Sequence, residues 1–437
     1  MDDAADAFQG LPLMIRPDGD APNVNERVVI YEGRFELQLA TEVLSVDGRI
    51  FYAWRPRPCV RFRGTIDRYT LDFTIARLAI PGRKLEHGSG HITHIGGSDG
   101  SVTGIFNNPF IIHEGPNADR LTFQLPNFRE VLGMPVRTAD RLHANRIELE
   151  DAEWIIRLDR QPDAGEKVKA LKDDGGYGLT VCGEAIFKNT SFIYADSTRL
   201  INKLGLFLTF LNGRRCFPCL IRGRKADALA WAEYSSYYAD EYKEEYSWLP
   251  QQYELTLSEL WRNFGRTIAD PEANECLDLL IHWYVEANNN SGFAEGAIVF
   301  MQNAFELLYN WKIGKPQKGQ KINADDKLRA LLMRAKIPVQ IPPAYQQIDT
   351  DLRAKNIIVK DLPELFTRVR NAIVHSDNNK RKTLRAIPSM DRFHIRHLGL
   401  YCLELLILHE LHYNGKFANR ISLNKFVGGN EEIVPWV

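Results

Sequence analysis

The first half of the chain alternates hydrophobic and polar residues with the two-residue period of β-strands. Residues 27–39 illustrate the pattern, with Val, Ile, Tyr, Phe and Leu spread on both sides of Gly33. Because β-branched and aromatic residues favour strands, and Gly, Asn and Asp favour turns, many short strands are predicted. We therefore predict a β-rich domain, either a sandwich or barrel-like, over residues 1–225. The other predicted strands are residues 49–54, 59–63, 69–75, 91–95, 121–125, 146–149, 154–158 and 179–183.

The end of this β-rich part carries mixed signals. Residues 196–206 predict a helix, whereas residues 206–213 end in Asn212-Gly213, a dipeptide typical of tight hairpin turns. We therefore predict a helix followed by one last hairpin. The composition then changes, and residues 226–254, which are rich in Tyr, Trp, Glu and Lys, predict a helical connector.

Beyond the connector, apolar residues recur three or four positions apart, which is the period of an amphipathic helix. Asp270-Pro271 predicts one helix start, because Asp caps helices and Pro is tolerated in the first turn. A second long helix follows Gly292, and residues 327–335 predict a shorter one.

Two further helices complete the predicted bundle. Asp361 followed by Glu364 has the spacing of a capping box and predicts a helix start. The last long helix covers residues 391–414 and is closed by Gly415. Residues 255–437 thus predict an all-α helical domain, and the fold class is a multi-domain α+β protein with the β-rich part first.

Composition and charge narrow the class of protein. The formal net charge of −1 over 437 residues gives no nucleic-acid signature for the whole molecule. Between residues 360 and 425, however, the chain contains twelve Lys and Arg but only six Asp and Glu. This local excess of positive charge favours a polyanionic partner there. The acidic N-terminus predicts no leader peptide, and no apolar run reaches the length of a membrane span. Six Cys without repeated spacing suit a reducing compartment, so we expect a cytoplasmic protein.

Candidate chemistry lies in the helix that starts at Asp361, which contains Arg370, Asn371 and His375. RNA carries its own nucleophile, the 2′-hydroxyl, so its cleavage needs a base, an acid and a cation for the phosphorane charge. His375 is able to act as base or acid near neutral pH. Arg370 is able to grip two phosphate oxygens through its planar guanidinium.

The spacing of these residues places a condition on the site. Asn371 and His375 are four positions apart and share a helix face. Arg370 is five positions from His375, about 140° around the helix axis. Either the long Arg side chain curves back, or Arg370 acts with a His of another molecule. An ordinary structural reading also exists, in which Arg370 pairs locally and His375 is stabilised by the helix dipole.

The motif Arg370-Asn371-x-x-x-His375 on the third of four principal helices resembles a HEPN domain (higher eukaryote and prokaryote nucleotide-binding). The resemblance covers roughly residues 255–415 and extends upstream. The run 205–213, then a Trp- and Tyr-rich connector, then helices, is similar to ApeA-like anti-phage proteins, in which a variable β-rich domain precedes the HEPN domain.

The resemblance implies a metal-independent endoribonuclease that leaves 2′,3′-cyclic phosphate and 5′-hydroxyl ends, with no cofactor. It also implies a homodimer through the HEPN domain, in which two motif helices form one composite cleft. RNA is the implied substrate, abortive anti-phage defence is the implied role, and the N-terminal domain is expected to sense a phage-derived trigger.

The predicted site residues fall into three groups. Arg370, Asn371 and His375 are the predicted catalytic residues. A predicted RNA-binding group follows from position and charge: Arg368, Lys380, Arg381, Lys382 and Arg385, of which the last four lie in a predicted basic loop. Glu306, which orients the motif Arg through a salt bridge, and Arg396, which lines the cleft, are predicted supporting residues.

The other metal-like spacings are weak. His394 and His397, and likewise His409 and His412, are three apart but have no acidic or Cys partner at metal-ligand spacing. Cys216 and Cys219 form a C-x-x-C without a second pair, so we predict buried strand cysteines and no metal site.

Two alternatives remain open from sequence. In the first alternative, the helical domain is a non-catalytic HEPN module that dimerises and binds a nucleotide or a protein. In the second, the β-rich domain is a ligand-binding module that carries the function, and the helices only dimerise it.

Overall fold

The chain divides into two compact units. The first comprises residues up to Leu208 together with Arg215–Glu244, and the second comprises Thr209–Arg214 and Glu245–Val437. The computed structural model describes residues 8–9, 13, 23–97, 99–137, 142–251, 256–289, 293–314, 322–375, 377–424, 426 and 428–437. The first unit is β-rich and the second is helical, so the predicted α+β fold class is confirmed.

Six strands of the first unit close into a barrel in the order β2-β3-β4-β8-β7-β5. Alternate residues of its strands, such as Val46 and Ile50 on β3, are fully buried, as the two-residue period requires. The barrel-like form of the predicted β domain is therefore confirmed. The strands up to the barrel's last one are β1 (Phe8–Gln9), β2 (Val28–Leu39), β3 (Val43–Ala53), β4 (Cys59–Ile66), β5 (Thr74–Ala79), β6 (Lys84–His87), β7 (Gly90–Ile95) and β8 (Ser101–Phe106).

A ten-stranded sheet forms the rest of the first unit, in the order β1-β11-β12-β13-β14-β10-β15-β16-β9-β6. All of its neighbouring strands are antiparallel except β1 and β11, which are parallel. Helix α1 (Ala164–Asp174) lies between β13 and β14 in the chain. The remaining strands are β9 (Phe110–His113), β10 (Arg120–Pro126), β11 (Met134–Arg137), β12 (Leu142–Glu150), β13 (Trp154–Arg160), β14 (Leu179–Phe187), β15 (Cys219–Lys225) and β16 (Ala228–Tyr234).

The predicted hairpin at residues 206–213 is wrong. These residues continue helix α2 (Tyr194–Asn212), because Leu204, Phe207, Leu208 and Leu211 bury one face at helical spacing. Gly213 ends the helix in the left-handed region at φ 72°. Its amide donates to the carbonyl of Thr209 at 3.0 Å, so the Asn-Gly pair closes a helix and does not turn a hairpin.

The predicted helical connector at residues 226–254 is also wrong in its secondary structure. Residues 228–234 form β16, which pairs with β15 and β9 and buries Trp231. Aromatic residues favour such a half-buried pleated surface as readily as a helix surface. No helix is present over residues 235–251. The last residues of the predicted connector, 252–254, lie outside the described residues.

The second unit is a helical bundle with a small two-stranded sheet. Its helix starts at Pro271, Phe293 and Leu362 agree with the predicted ones, and the last long helix starts at Ser389. No helix in the part of the chain that the structure describes is both long enough and apolar enough to cross a membrane. The elements are α3 (Thr256–Thr267), α4 (Pro271–Asn288), α5 (Phe293–Lys312), α6 (Ala324–Arg334), a 3₁₀ turn (Pro343–Tyr345), α7 (Gln346–Arg353), α8 (Leu362–His375), α9 (Asn378–Ala386), α10 (Ser389–Glu410), β17 (Lys416–Ala418) and β18 (Glu431–Ile433).

Ion pairs fix the directions of three helices. Glu410 at the end of α10 pairs with Lys312 at the end of α5 (3.2 Å) and with Arg334 at the end of α6. Arg392 near the start of α10 pairs with Glu295 near the start of α5 at 3.0 Å. Lys327 near the start of α6 pairs with Glu306 in the second half of α5 at 2.7 Å. Helices α5, α6 and α10 therefore run in the same direction, and the bundle has one end where α5 and α10 begin and another where all three finish.

The Glu410 cluster also stabilises the bundle in a pH-dependent way. Burial opposes ionisation of this carboxyl, but hydrogen bonds from His409 and Arg334 lower the pKa of Glu410 from 4.5 to about 2. Because the folded pKa is the lower one, the stabilisation is complete above the unfolded pKa and is lost as the pH falls from 4.5 toward 2.

Candidate functional site on helix α8

Helix α8 starts where it is predicted, at the cap residue Asp361, although Glu364 reaches back to the amide of Lys360 and not to that of Asp361. The amide of Glu364 donates to Asp361 Oδ1 at 3.0 Å, and the amide of Lys360 donates to Glu364 Oε2 at 2.9 Å. Arg329 of α6 also holds Asp361, with Nε 2.7 Å from Oδ2. Burial raises the pKa of Asp361, but the hydrogen bond from Arg329 lowers it. The net result is a lowered pKa. The start of α8 is thus anchored to α6 by a carboxylate that stays ionised.

Helix α8 runs opposite to its neighbours. Asp361 at its start meets Arg329 in the middle of α6, whereas Asn371 near its end shares a pocket with Asp325 at the start of α6. The C-terminal end of α8 therefore points toward the end of the bundle where α5 and α10 begin. His375, the last residue of α8, marks that end.

Arg370 is half-buried and is bound by its neighbour in the chain. Its Nη1 donates to Asn371 Oδ1 at 3.1 Å. Its Nε is buried and has no hydrogen-bond partner among the described residues. A buried donor without an acceptor is costly, and such groups concentrate where a ligand or another molecule completes the hydrogen bonds. Arg370 therefore keeps donor capacity that the single chain does not use.

His375 is exposed at the end of α8. No described residue is hydrogen-bonded to its imidazole, so both ring nitrogens are open to solvent. Because α8 is a regular helix over residues 362–375, Arg370 and His375 lie about 140° apart around its axis. The structure thus places both predicted residues on one helix but on different sides of it, as their spacing implied.

The predicted basic loop after His375 is in fact a helix. Asp377 caps α9, accepting from the amide of Lys380 at 2.9 Å, and this hydrogen bond lowers the pKa of Asp377. Lys380 also pairs with Asp377 at 3.3 Å, and Arg381 donates to Asn378 at 2.6 Å. The exposed group that remains consists of Lys382 and Arg385. We missed this helix because its nine residues hold little apolar surface, so it lacks a hydrophobic period.

Arg368 lies on the side of α8 that faces α6, where it pairs with Glu364 at 2.8 Å. An open pocket of about 320 Å³ occupies this side. The polar residues that line it come from three helices: Asp325, Glu364, Thr367, Arg368, Asn371 and Lys380. Of these, Asp325 and Thr367 had no motif or spacing that would have drawn attention to them in the sequence.

The two predicted supporting residues have other roles. Glu306 pairs with Lys327 at 2.7 Å and accepts from Gln302 at 3.2 Å, so its partners among the described residues do not include the motif Arg. Arg396 is buried at 4% exposure and donates to the backbone carbonyls of Ala287 and Asn288. Arg396 thus closes the end of α4 and does not line a cleft; burial lowers the pKa of this guanidinium.

Large apolar side chains are exposed at the same end of the bundle as His375. Phe293 opens α5 at 77% exposure, Val374 precedes His375 at 45%, and Met390 and Phe393 in the first turns of α10 are 62% and 43% exposed. Exposed apolar side chains gathered around one functional feature mark interaction surfaces. We refer to these four residues as the apolar rim.

Other candidate centres do not form metal clusters. Among the described residues, no group of three or more His, Cys, Asp or Glu side chains has an arrangement that would hold a metal ion. Cys216 and Cys219 are buried free thiols, Cys219 on strand β15, as predicted for strand cysteines.

Comparison with known proteins relates the chain to YopA. The family profile described as the YopA C-terminal domain matches residues 270–432, and the YopA central domain profile matches residues 113–245. A relative from Bacillus subtilis (strain 168), the SPbeta prophage-derived uncharacterized protein YopA, is 28% identical over 436 residues, covering 95% of this chain and 96% of its own length. No solved structure matches the chain. The C-terminal profile begins at the cap of α4 and includes the whole of α8.

Proposed function

We propose that the helical unit is a HEPN-type, metal-independent endoribonuclease whose active site forms between two copies of the chain. The observation that carries this proposal is the arrangement on α8: an exposed His375 and a half-buried Arg370 with unused donors, held on different sides of one helix. A single copy leaves the base and the cation apart. Two α8 helices side by side bring the Arg of one copy to the His of the other.

The chemistry follows from the residue types. The imidazole of one His375 takes the proton of the 2′-hydroxyl, and the 2′-oxygen attacks the adjacent phosphorus. The P–O5′ bond breaks, the 5′-oxygen takes a proton from a water molecule, and the imidazolium returns its proton to the solvent. The products are a 2′,3′-cyclic phosphate and a 5′-hydroxyl. Arg370 stabilises the extra negative charge of the phosphorane, and Asn371 holds the guanidinium in position through the hydrogen bond from Nη1.

Activity of the full chain on total bacterial RNA, in a buffer with EDTA, tests this proposal. We expect cleavage by the wild-type protein to leave cyclic phosphate ends, and the His375→Ala variant to be slower by about 10²–10⁴-fold. A His375→Ala protein that cuts RNA at the wild-type rate would show that the assignment is wrong. Stable nucleotide binding without any cleavage would favour the non-catalytic HEPN alternative.

The apolar rim supports the second copy as the partner. Its side chains lie at the same end of the bundle as His375, and their burial against the same surface of another copy would remove apolar area from water. We therefore expect the protein to be a homodimer through this end of the bundle.

A matched pair of methionine variants tests this interface. Met390 in the rim is 62% exposed, and Met333 near the opposite end of the bundle is 66% exposed. We expect Met390→Glu to raise the dimer dissociation constant at least about tenfold, since it places a charge in the apolar contact. Met333→Glu should leave the dissociation constant unchanged. Sedimentation of both variants decides: equal dimerisation, or loss of the dimer in both, argues against the proposed face.

The biological role is proposed from the wider similarity. The YopA relative is prophage-derived, and the resemblance of the domain layout to ApeA-like proteins implies a role in anti-phage defence. We infer that RNA cleavage by this chain serves anti-phage defence in the cytoplasm, with the β-rich unit sensing a phage-derived trigger. Expression of the protein in phage-challenged cells, compared with the His375→Ala variant, tests this role by the number of phage plaques.

A further inference from the structure

The pocket beside α8 has a definite relation to His375. The pocket residues Glu364, Arg368 and Asn371 of α8 are spaced three or four positions apart, and His375 continues the same row. Asn371 and His375 are four positions apart, a rise of about 6 Å along the helix. Arg370 lies on another side of α8 and does not line the pocket. A group held in the pocket is therefore adjacent to the imidazole of the same chain.

The charges in the pocket argue against a bare phosphate as its occupant. Arg368 is already paired with Glu364 at 2.8 Å, and Lys380 is paired with Asp377 at 3.3 Å. Asp325 adds a further carboxylate to the lining. A phosphate in this pocket would face two carboxylates, whereas a nucleobase would offer both donors and acceptors to the mixed lining.

Asp325 has free capacity to accept hydrogen bonds. Its Oδ2 accepts from Arg329 at a long 3.3 Å, and its Oδ1 has no partner among the residues that the structure describes. The side chain is 25% exposed, so it is fixed in place but reachable from the pocket. Glu364 differs, because each of its carboxylate oxygens already accepts a hydrogen bond that holds α8 together.

We propose that this pocket binds a guanine base next to the scissile phosphate and gives the enzyme a preference for guanine; this inference rests on the proposed ribonuclease function. Guanine is the common RNA base with two adjacent N–H donors, N1–H and the N2 amino group, which match the two oxygens of a carboxylate such as Asp325. Its O6 acceptor then faces the ammonium of Lys380, and the guanidinium of Arg368 stacks on the ring. The volume of about 320 Å³ lies within the usual range of small-ligand pockets.

Substrates with one cleavable phosphodiester bond test the inference through their cleavage rates. Short deoxyoligonucleotides with one ribonucleotide leave only one bond that can be cut, and guanine, hypoxanthine or adenine is placed on either side of it. We expect cleavage to be fastest with guanine on one side, and slower by about tenfold or more with hypoxanthine, which lacks the N2 amino group. Equal rates for all three bases on both sides would overturn the guanine pocket and leave the ribonuclease proposal standing.

A matched pair of carboxylate variants locates the effect. Asp325 and Asp326 both lie in the first turn of α6 and both pair with Arg329, but only Asp325 lines the pocket. We expect Asp325→Asn to reduce the preference for guanine by about tenfold, while Asp326→Asn keeps it. Preference retained in both variants would refute the assignment.

A binding measurement separates this inference from the catalytic proposal. Guanosine monophosphate and adenosine monophosphate are titrated into the full-length His375→Ala protein, with and without Asp325→Asn. We expect tighter binding of the guanine nucleotide, and loss of that difference in the Asp325→Asn protein. This result would stand even if the wild-type protein cut no RNA, which would refute only the ribonuclease. Equal binding of the two nucleotides would refute the pocket.

Discussion

A mixture of the Arg370→Ala and His375→Ala proteins is expected to cut RNA, although neither variant does so alone. If the site combines Arg370 of one copy with His375 of the other, a mixed dimer holds one site without either group and one complete site. After subunit exchange half of the dimers are mixed, so the mixture should reach about a quarter of wild-type activity. The expectation follows from the positions of the two residues on different sides of α8.

Three controls sharpen the mixing experiment. Each single variant should lose about 10²–10⁴-fold in rate, since one lacks the phosphorane clamp and the other the proton transfer group. The double variant Arg370→Ala with His375→Ala, mixed equally with wild type, should lower the activity to about half that of equally diluted wild type, because a dimer of the two holds no complete site. The Met390→Glu change, introduced into both single variants, should prevent the recovery. A mixture that remains as inactive as its components would mean that each chain builds its own site.

Local sequence signals explain why helix α8, which carries the candidate site, was predictable. The start of α8 depends on Asp361 and Glu364, three positions apart: Asp361 accepts from the amide of Glu364 as expected, and Glu364 accepts from the amide of Lys360, one residue before the cap. The offset between Arg370 and His375 follows from helix geometry alone. The strand pattern succeeded for the same reason, because each residue on β3 reports its own face of the barrel.

The missed features depend on contacts that no short window contains. Five of the six residues 206–211 are apolar, so they fit both the helical and the strand period, and only burial in α2 decides. Asp325 reaches the pocket because α6 packs against α8 in the opposite direction. Arg396 was predicted to line the RNA-binding cleft, yet it is buried on α10 and donates to a backbone carbonyl at the end of α4. Tertiary packing, which the pattern does not encode locally, determined all three.

The largest stability effect is expected at a buried ion pair in the helical unit. Arg420 and Glu404 are each 2% exposed, with Arg420 Nε 2.7 Å from Glu404 Oε2. Tyr284 donates to Glu404 Oε1 at 2.7 Å, and Arg420 also donates to Asn288 Oδ1 at 3.1 Å. Burial opposes the charge of Arg420, but Glu404 raises the pKa of the guanidinium, so Arg420 stays charged. These bonds connect α4, α10 and the segment after β17.

We expect Arg420→Ala to destabilise this unit by about 3–5 kcal/mol, because it leaves the Glu404 carboxylate buried without its counter-charge. Hydrogen exchange in α10 measures the effect as faster exchange of its amides. Arg353→Ala, which removes a largely exposed Arg from its pair with Asp349, is the matched control and should cost less than about 1 kcal/mol. The double variant Arg420→Met with Glu404→Leu should recover part of the loss, since no buried charge then remains. Equal exchange rates of the α10 amides in the Arg420→Ala and Arg353→Ala proteins would show that the buried pair does not stabilise the bundle.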